Sequence, residues 1–492
     1  MSRFDPDEGL LAEEMAERRE RRADRRRHRA RRTPEHLAEA PGPARAPLIA
    51  VLAALLTAAF GADTLIAAHR APAAGPLVMA RAAAPGALAS TWYCGGGTAT
   101  PGGVADAEVI IANPGTEPLA ADITAVPSLG ARATRRLSVP PRGRVVVRPR
   151  ELVQAPFAAA FVRLHGGGGV VEEGVSGPLG FDLAPCATSG SRQWFLAEGA
   201  TTKGSTLLLM LFNPFPEDAI VDMAFATDQG RAVPSDLQGV VVPPMGLVAI
   251  DVGQHVRRRE AVATRVSTRS GRLVVHKVQT RVDPGQRGLS VALAAPAAQR
   301  EWSFAEGVVS TEMFERFHVY NPSTREAEVE VELSLEEGVV EPLGLTVPPG
   351  ERLSLLANDE PSIGRGVPHA ATVRSLNGVD VVVERSLDLT GARPGRTVAP
   401  GATSPATRWL AAAGVVSDGL DEWIVAFNPG PRRVTLSVAA MTQGRRVPLQ
   451  GLQSVTLAAG RRRAFKMNDL FDQAELSVMV ESTAPVFVER AL

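Results

Sequence analysis

The run His165 to Gly169, "HGGGG", is the stretch most suggestive of chemistry, because a histidine followed by glycines builds an oxyanion hole from backbone N–H groups in esterases. Such a hole serves an activated serine, and no G-x-S-x-G elbow accompanies it. Metal chemistry needs clustered ligands. His165, His255, His276, His318 and His369 are scattered, and no H-E-x-x-H spacing joins any two of them. A pair of carboxylates could hydrolyse a glycoside, yet nothing singles one pair out of many. Glu198 and Glu306 recur within "AEG", and Lys277 and Arg385 recur in a later strand, which reads as structural ion pairing. The residues therefore predict no catalytic centre, no metal site and no cofactor.

The same segments point instead to architecture. Tryptophans at Trp92, Trp194, Trp302 and Trp409 are spaced by 102, 108 and 107 residues. Asparagines that close a strand-like run and precede proline, Asn113, Asn213, Asn321 and Asn428, are spaced by 100, 108 and 107. Two independent landmarks with one period make four copies of one unit. Each copy also carries a glycine five residues after its tryptophan: Gly97, Gly199, Gly307 and Gly414. The "HGGGG" run falls where other copies have "RSGR" and "LNGVD", so a hairpin turn explains it.

Within a copy the signals are those of strands. Proline cannot donate to a ladder and asparagine bonds its own backbone, so each Asn-Pro turns the chain back. In "AEVEVELSL", Ala327, Val329, Val331 and Leu333 share one face and three glutamates the other, the period of a half-buried strand. "VPP" at Val139, Val242 and Val347 marks a crossing between sheets. The tryptophan is expected to fill the end of each core, and the glycine to permit the turn after the first strand. Trp423, off the repeat landmark, is expected to fill the core too, with a sugar-stacking platform as the alternative. Seven or so short strands per unit predict a mainly β chain: a tandem array of four immunoglobulin-like β-sandwich repeats at 91–188, 189–299, 300–404 and 405–492.

The N-terminal part has a different composition. Residues 18–32 hold ten arginines in fifteen positions, although the whole chain of 492 residues balances 53 basic against 53 acidic groups. This predicts a disordered or helical Arg-rich cytoplasmic tail over 1–45. The run Ala46 to Ala62 has no charge and continues through "LIAA", long enough at about 1.5 Å per residue to cross a hydrocarbon core of about 30 Å. A transmembrane helix over 46–68 follows, oriented by the arginines with its N-terminus cytoplasmic, then a linker over 69–90. A signal peptide cleaved near Ala74 is the alternative. The tail has no aromatic interleaving, so it is assigned to anionic lipid and to topology, and no nucleic acid is expected.

Cys94 and Cys186 are the chain's two cysteines and lie at the two ends of the first copy, which predicts a disulfide in an oxidising compartment. The landmarks Trp194, Ala197, Glu198, Gly199, Thr201, Asn321, Pro322, and Glu384-Arg385 or Glu489-Arg490 resemble those of the actinobacterial domain of unknown function 5719 family. That resemblance implies an uncharacterised envelope-associated protein and carries over no reaction. The first copy departs from it, with "YCGGGT" for the "AEG" start and "VVEEG" for the "ER" close. The expected function is a non-catalytic, single-pass membrane-anchored extracytoplasmic scaffold or interaction protein. It would touch lipid through 46–68 and the Arg-rich tail, and hold an envelope protein partner. An array of wall-polysaccharide-binding modules is the alternative, and an envelope enzyme ranks behind both.

Overall fold

The computed structural model describes residues 79–335, 340–416, 420–442, 445–470 and 475–492. The expected tail at 1–45 and span at 46–68 lie outside the described residues. Among the described residues no helix is long and apolar enough to cross a membrane. The structure is mainly β, with four repeats set like the blades of a four-bladed propeller.

Repeat 2 shows the plan. One sheet runs Gly230–Ala232, Ala219–Thr227, Val262–Ser270, Gln193–Leu196, with Gln238–Val242 also pairing Ala219–Thr227. The other runs Gly246–Asp251, Thr206–Asn213, Val274–Asp283, Gln286–Leu293. One core joins them: Trp194, Leu196, Met223 and Phe225 from the first sheet meet Leu209, Leu211 and Val275 from the second. In repeat 4 the strand Ser477–Ala491 is long enough to belong to both sheets. In the third copy the alternation is as the sequence predicts, Ala327 to Leu335 placing its odd-numbered residues inside.

Each landmark asparagine bonds the same way. Asn213 donates to Glu217 O at 2.7 Å and Val242 O at 3.0 Å, and its Oδ1 accepts from Phe215 N at 3.1 Å. Asn113, Asn321 and Asn428 repeat this pattern onto Val139, Val347 and Leu457. One buried amide thus ties the Asn-Pro turn to the end of a neighbouring strand, and satisfies donors and acceptors that water cannot reach.

The tryptophans Trp92, Trp194 and Trp302 are buried and Trp409 is half-buried. The indoles of Trp194 and Trp302 donate at 2.9 Å to Leu273 O and Val381 O, which stand at matching places in the hairpin. Trp409 does the same to Val486 O at 2.8 Å, whereas the buried Trp92 nitrogen has no partner. The landmark glycines differ from expectation. None has a left-handed backbone; each is glycine because a side chain would collide. A Cβ on Gly97 would lie 2.3 Å from Ala105 O, and one on Gly414 would lie 2.6 Å from the Glu422 carboxylate.

The array closes on itself. The last strands of repeats 1 to 3, Gly180–Pro185, Gln286–Leu293 and Gly395–Pro400, lie against one another at the middle of the ring. A Cβ on Gly288 would stand 2.6 Å from that of Arg396. Asp182 accepts from Val291 N at 2.9 Å and the Thr397 hydroxyl at 3.2 Å, so one carboxyl of repeat 1 ties down repeats 2 and 3. Repeat 4 meets repeat 1: Ala412 and Ala413 share a core with Trp92, Val109 and Ile111.

Trp302 is fully enclosed by this packing. Trp302→Ala should lower unfolding stability by about 3–5 kcal/mol through lost burial and an unfilled cavity. Chemical denaturation checks this, and an unchanged midpoint would refute the core role.

Candidate functional site

The next-to-last strand of repeats 1 to 3 and the last strand of repeat 4 carry a two-residue signature: Glu172-Glu173, His276-Lys277, Glu384-Arg385 and Glu489-Arg490. Strand alternation points these two residues to opposite faces, and the first reaches the preceding repeat. Glu384 accepts from the backbone nitrogens of Ala197 and Glu198, at 2.6 and 2.7 Å. Glu489 accepts from those of Ala305 and Glu306, both at 3.0 Å. Glu172 accepts from Ala413 N at 2.9 Å and so joins repeat 4 to repeat 1. The "AEG" segment is therefore a cradle for the next repeat's carboxylate.

The second residue of each signature braces the cradle from within. Lys277 donates to Glu198 O at 2.7 Å and also meets the carboxylates of Glu198 at 3.0 Å and Glu384 at 3.1 Å. Arg385 bonds Glu306 O and Glu489, and Arg490 bonds Ala413 O and, at 2.8 Å, Glu172. The expected pair of Glu198 with Lys277 is present. For Glu306 the sequence expectation is corrected: Arg385 takes its carbonyl, and its carboxylate pairs with Arg462 of repeat 4.

The junction of repeats 1 and 2 has its residue types exchanged. Here the reaching residue is His276, and the bracing residue is Glu173, which accepts from Gly96 N at 2.8 Å and pairs with the His276 ring. Glycines make room for this arrangement. A Cβ on Gly95 would stand 2.4 Å from that of His276, and Gly96 has φ of 77°, a conformation that glycine adopts at no steric cost. The departure of the first copy from the "AEG" pattern has this physical reason.

Beside it the predicted disulfide is formed between Cys94 and Cys186, both fully buried. Their sulfurs and a Glu173 oxygen lie within 4.8 Å of one another. Metals bind thiolates, and sulfurs joined to each other offer none, so in this state the cluster is not a metal site.

Repeats 2 and 3 share the densest buried charge. Arg396 joins Glu198 at 2.7 Å and also Asp388, Arg281 reaches Glu198 at 3.5 Å, and Arg316 reaches Asp388 at 2.9 Å. Burial pushes the Glu198 carboxyl up, but Lys277 and Arg396 outweigh it and hold it well below the usual range. Burial raises Glu384, with Lys277 opposing and Glu198 adding to the rise. His318 is held well below its usual value by burial and by Arg352. Arg352 can only donate to its Nδ1, at 2.8 Å, so Nε2 carries the proton and donates to Ser386 at 3.0 Å. His369 contacts Glu315 at 2.7 Å.

Leu476 occupies the corresponding place in repeat 4, each backbone nitrogen donating to the landmark glycine carbonyl. Glu422, the counterpart of Glu315, has no ion-pair partner among the described residues, and burial pushes its carboxyl up to about 7. Asp182 is likewise pushed up to about 7 by burial. The "HGGGG" run is a hairpin turn, and His165 contacts Asp122 at 2.7 Å on the surface.

Two surface features remain. Trp423 corrects the sequence expectation: it is 37 % exposed, with the Lys466 ammonium 5.7 Å from its ring centre. Its strand places it opposite Lys466 and Ala491 on the outer side, away from the core. Between repeats 2 and 3 lies an open groove of about 590 Å³, lined by Arg192, Phe195, Arg265, Pro296, Ser323 and Arg325 among others. Sequence reasoning passed over it because it arises where Ser323, the second residue after Asn321, is small.

Fold and junctions together define a closed ring of four β repeats held by buried ion pairs. The chain belongs to the family of unknown function DUF5719, whose model matches residues 177–342 and 274–490, together more than half of the chain. A comparison with curated proteins gives no match. Among solved structures, Thermotoga maritima 1070 is 19% identical over 21% of this chain and 94% of its own, with a TM-score of 0.20. The Anabaena sensory rhodopsin transducer is 23% identical over 18% of this chain and 92% of its own, at 0.16. A tetra-tandem repeat from the extending region of a large adhesion protein is 15% identical over 77% of this chain and 92% of its own, at 0.12. Scores this low bear on neither the fold nor the function of this chain.

Two predictions follow from the junctions. Glu384→Ala strips acceptors from two buried N–H groups and a partner from Lys277, and should destabilise by about 3–5 kcal/mol. Adding Lys277→Met should recover part of that loss; additive losses in denaturation would contradict the coupling. The second concerns pH. Asp182 has its folded pKa above the unfolded value, so the folded state holds the proton more tightly. Its contribution therefore falls as pH rises from about 4 to about 7, by up to about 1.4 kcal/mol per pH unit. Asp182→Asn keeps an acceptor for Val291 N and removes that slope, so its advantage over the parent should grow from pH 5 to pH 8. An advantage that stays constant across that range would refute the assignment.

Proposed function

We propose that this chain is a non-catalytic, single-pass membrane-anchored scaffold or interaction protein of the bacterial cell envelope. Residues 46–68 cross the membrane, the Arg-rich tail meets anionic lipid on the cytoplasmic side, and four immunoglobulin-like β-sandwich repeats stand outside as one ring. The observation that carries this reading is where the ionisable groups go. The densest cluster, around Glu198 and Glu384, is buried between repeats 2 and 3, and the half-buried Glu489 and Glu172 likewise engage backbone and opposite charge of a neighbouring repeat. Charges used in that way join repeats, and they suit a rigid body that presents surfaces to a partner.

A second reading, binding of wall polysaccharide, is favoured by exposed Trp423 with Lys466 over its ring, since sugars stack on such faces. The two are separated by incubating the full-length chain in detergent with wall polymer stripped of protein and sedimenting it. The scaffold reading expects the chain in the supernatant, and expects crosslinks to a membrane or envelope protein in intact cells. Saturable sedimentation that Trp423→Ala abolishes would replace it with the polysaccharide reading.

A further inference from the structure

The groove between repeats 2 and 3 has a counterpart between repeats 1 and 2, and there the chain fills it with its own side chain. Phe215, second after Asn213, packs on Tyr93 with ring centres 5.7 Å apart, and the Arg272 guanidinium lies 4.1 Å above the Phe215 ring. A Cβ on Gly190 would stand 2.4 Å from that ring, so the fit is close. The residue second after Asn321 is Ser323, and the residue preceding the Trp-bonded carbonyl is Asp380 in place of Arg272. Both parts of the plug are missing. The aromatic floor is retained as Phe195, the residue after Trp194 as Tyr93 is the residue after Trp92, with Arg265 at 5.9 Å.

The vacated groove is cationic. Arg192 and Arg325 are exposed at its rim and Arg265 is half-buried within it. Among the described residues none of the three pairs with a carboxylate; Arg265 bonds only the Ser267 hydroxyl. The one acid in the lining, Asp380, faces Arg300 at 3.4 Å. An aromatic ring fills the same place next door and three guanidinium groups here lack counter-charge. A neutral or basic occupant would leave those charges unmatched.

We propose that this groove docks an extended acidic peptide segment of a partner protein, which inserts one aromatic side chain against Phe195 between the carboxylates that meet Arg192, Arg265 and Arg325. The seat imitates what the Pro214-Phe215 step does at the neighbouring junction. Aromatic insertion gives the anchor, and the arginine rim gives orientation and charge selection. This deepens the interaction reading and rests on it.

The probe is an uncharged-end peptide of sequence Asp-Glu-Pro-Phe-Glu-Asp, titrated calorimetrically into the full-length chain in neutral detergent. Saturable binding is expected, weakened at least about tenfold when the phenylalanine is replaced by alanine or the acids by lysines. Ser323→Phe should plug the groove as Phe215 does and abolish binding while the melting temperature holds. If that variant fails to fold, Arg325→Ala, at an exposed position, carries the test with a loss of at least about fivefold. No heat up to millimolar peptide would overturn the proposal, as would binding that both variants leave intact. Equal binding of the ring-less acidic peptide or of polygalacturonate would overturn it in favour of a polyanionic glycan. Failure here alongside intact protein crosslinks in cells removes the groove and leaves the interaction reading standing.

Discussion

The ring depends at three of its four junctions on one kind of interaction: a carboxylate of one repeat accepting backbone N–H groups in the segment that ends at the preceding repeat's landmark glycine. Ala197, Glu198, Ala305 and Ala413, which supply these donors, are buried, and an unmet buried donor costs about 1–3 kcal/mol. At these three junctions one repeat presents the donors and the next supplies the acceptor. Glu384 and Glu489 serve sequence neighbours, and Glu172 applies the same contact across the full length of the chain to Ala413. A linear array would leave that last pair exposed, whereas closure satisfies all of it.

Junctions made of buried charge are stabilising only when complete. Removing two ions from water is expensive, and the attraction between them offsets the loss only with full hydrogen bonding. Around Glu198 that condition is met by Lys277, Arg281 and Arg396 together. The exchanged junction keeps the balance by a different route, with Glu173 in the bracing place and His276 in the reaching one. Because residue type as well as shape differs there, repeat 2 cannot dock on repeat 1 through the Glu-to-backbone contact that the other junctions use. The order of repeats around the ring is thus written into the junction residues. Asp182 and Glu422 are exceptions, buried carboxyls without a cation at hydrogen-bonding distance, and both retain protons more tightly for that reason.

Much of the fold was legible because its causes are local. The Asn-Pro turns, the alternation in Ala327 to Leu335 and the period of the tryptophans need only neighbours in sequence, and the disulfide follows from two cysteines bracketing one copy. What stayed hidden depends on partners a hundred or more residues away. Glu384 and Glu489 stood out in the sequence only as landmarks at the end of a repeat, yet each bonds the backbone of another repeat, and backbone groups leave no trace in side-chain identity. The landmark glycines were read as turn formers because glycine serves both conformational freedom and close approach; only the packing against Ala105, Leu207, His369 and Glu422 tells them apart. Trp423 misled for a similar reason, since strand periodicity does not say which face is covered.

Four copies of one unit also supply their own controls, which a single domain lacks. Position by position, a residue that differs among copies either keeps the junction by another chemistry or leaves something open. Glutamate to histidine at 276 is the first kind, because Glu173 and the neighbouring glycines change with it. Phe215 against Ser323 is the second kind: copies 1 and 4 carry Gly115 and Gly430 at that place, so the aromatic ring is confined to repeat 2, and among the described residues the arginines around Ser323 have no carboxylate partner. Histidine to leucine at 476 leaves the Glu422 carboxyl without the partner that Glu315 has. Structural repair accounts for the first difference and is absent from the other two, so selection for stability alone explains the ring and leaves the groove and Glu422 as the places where the repeats have diverged toward something else.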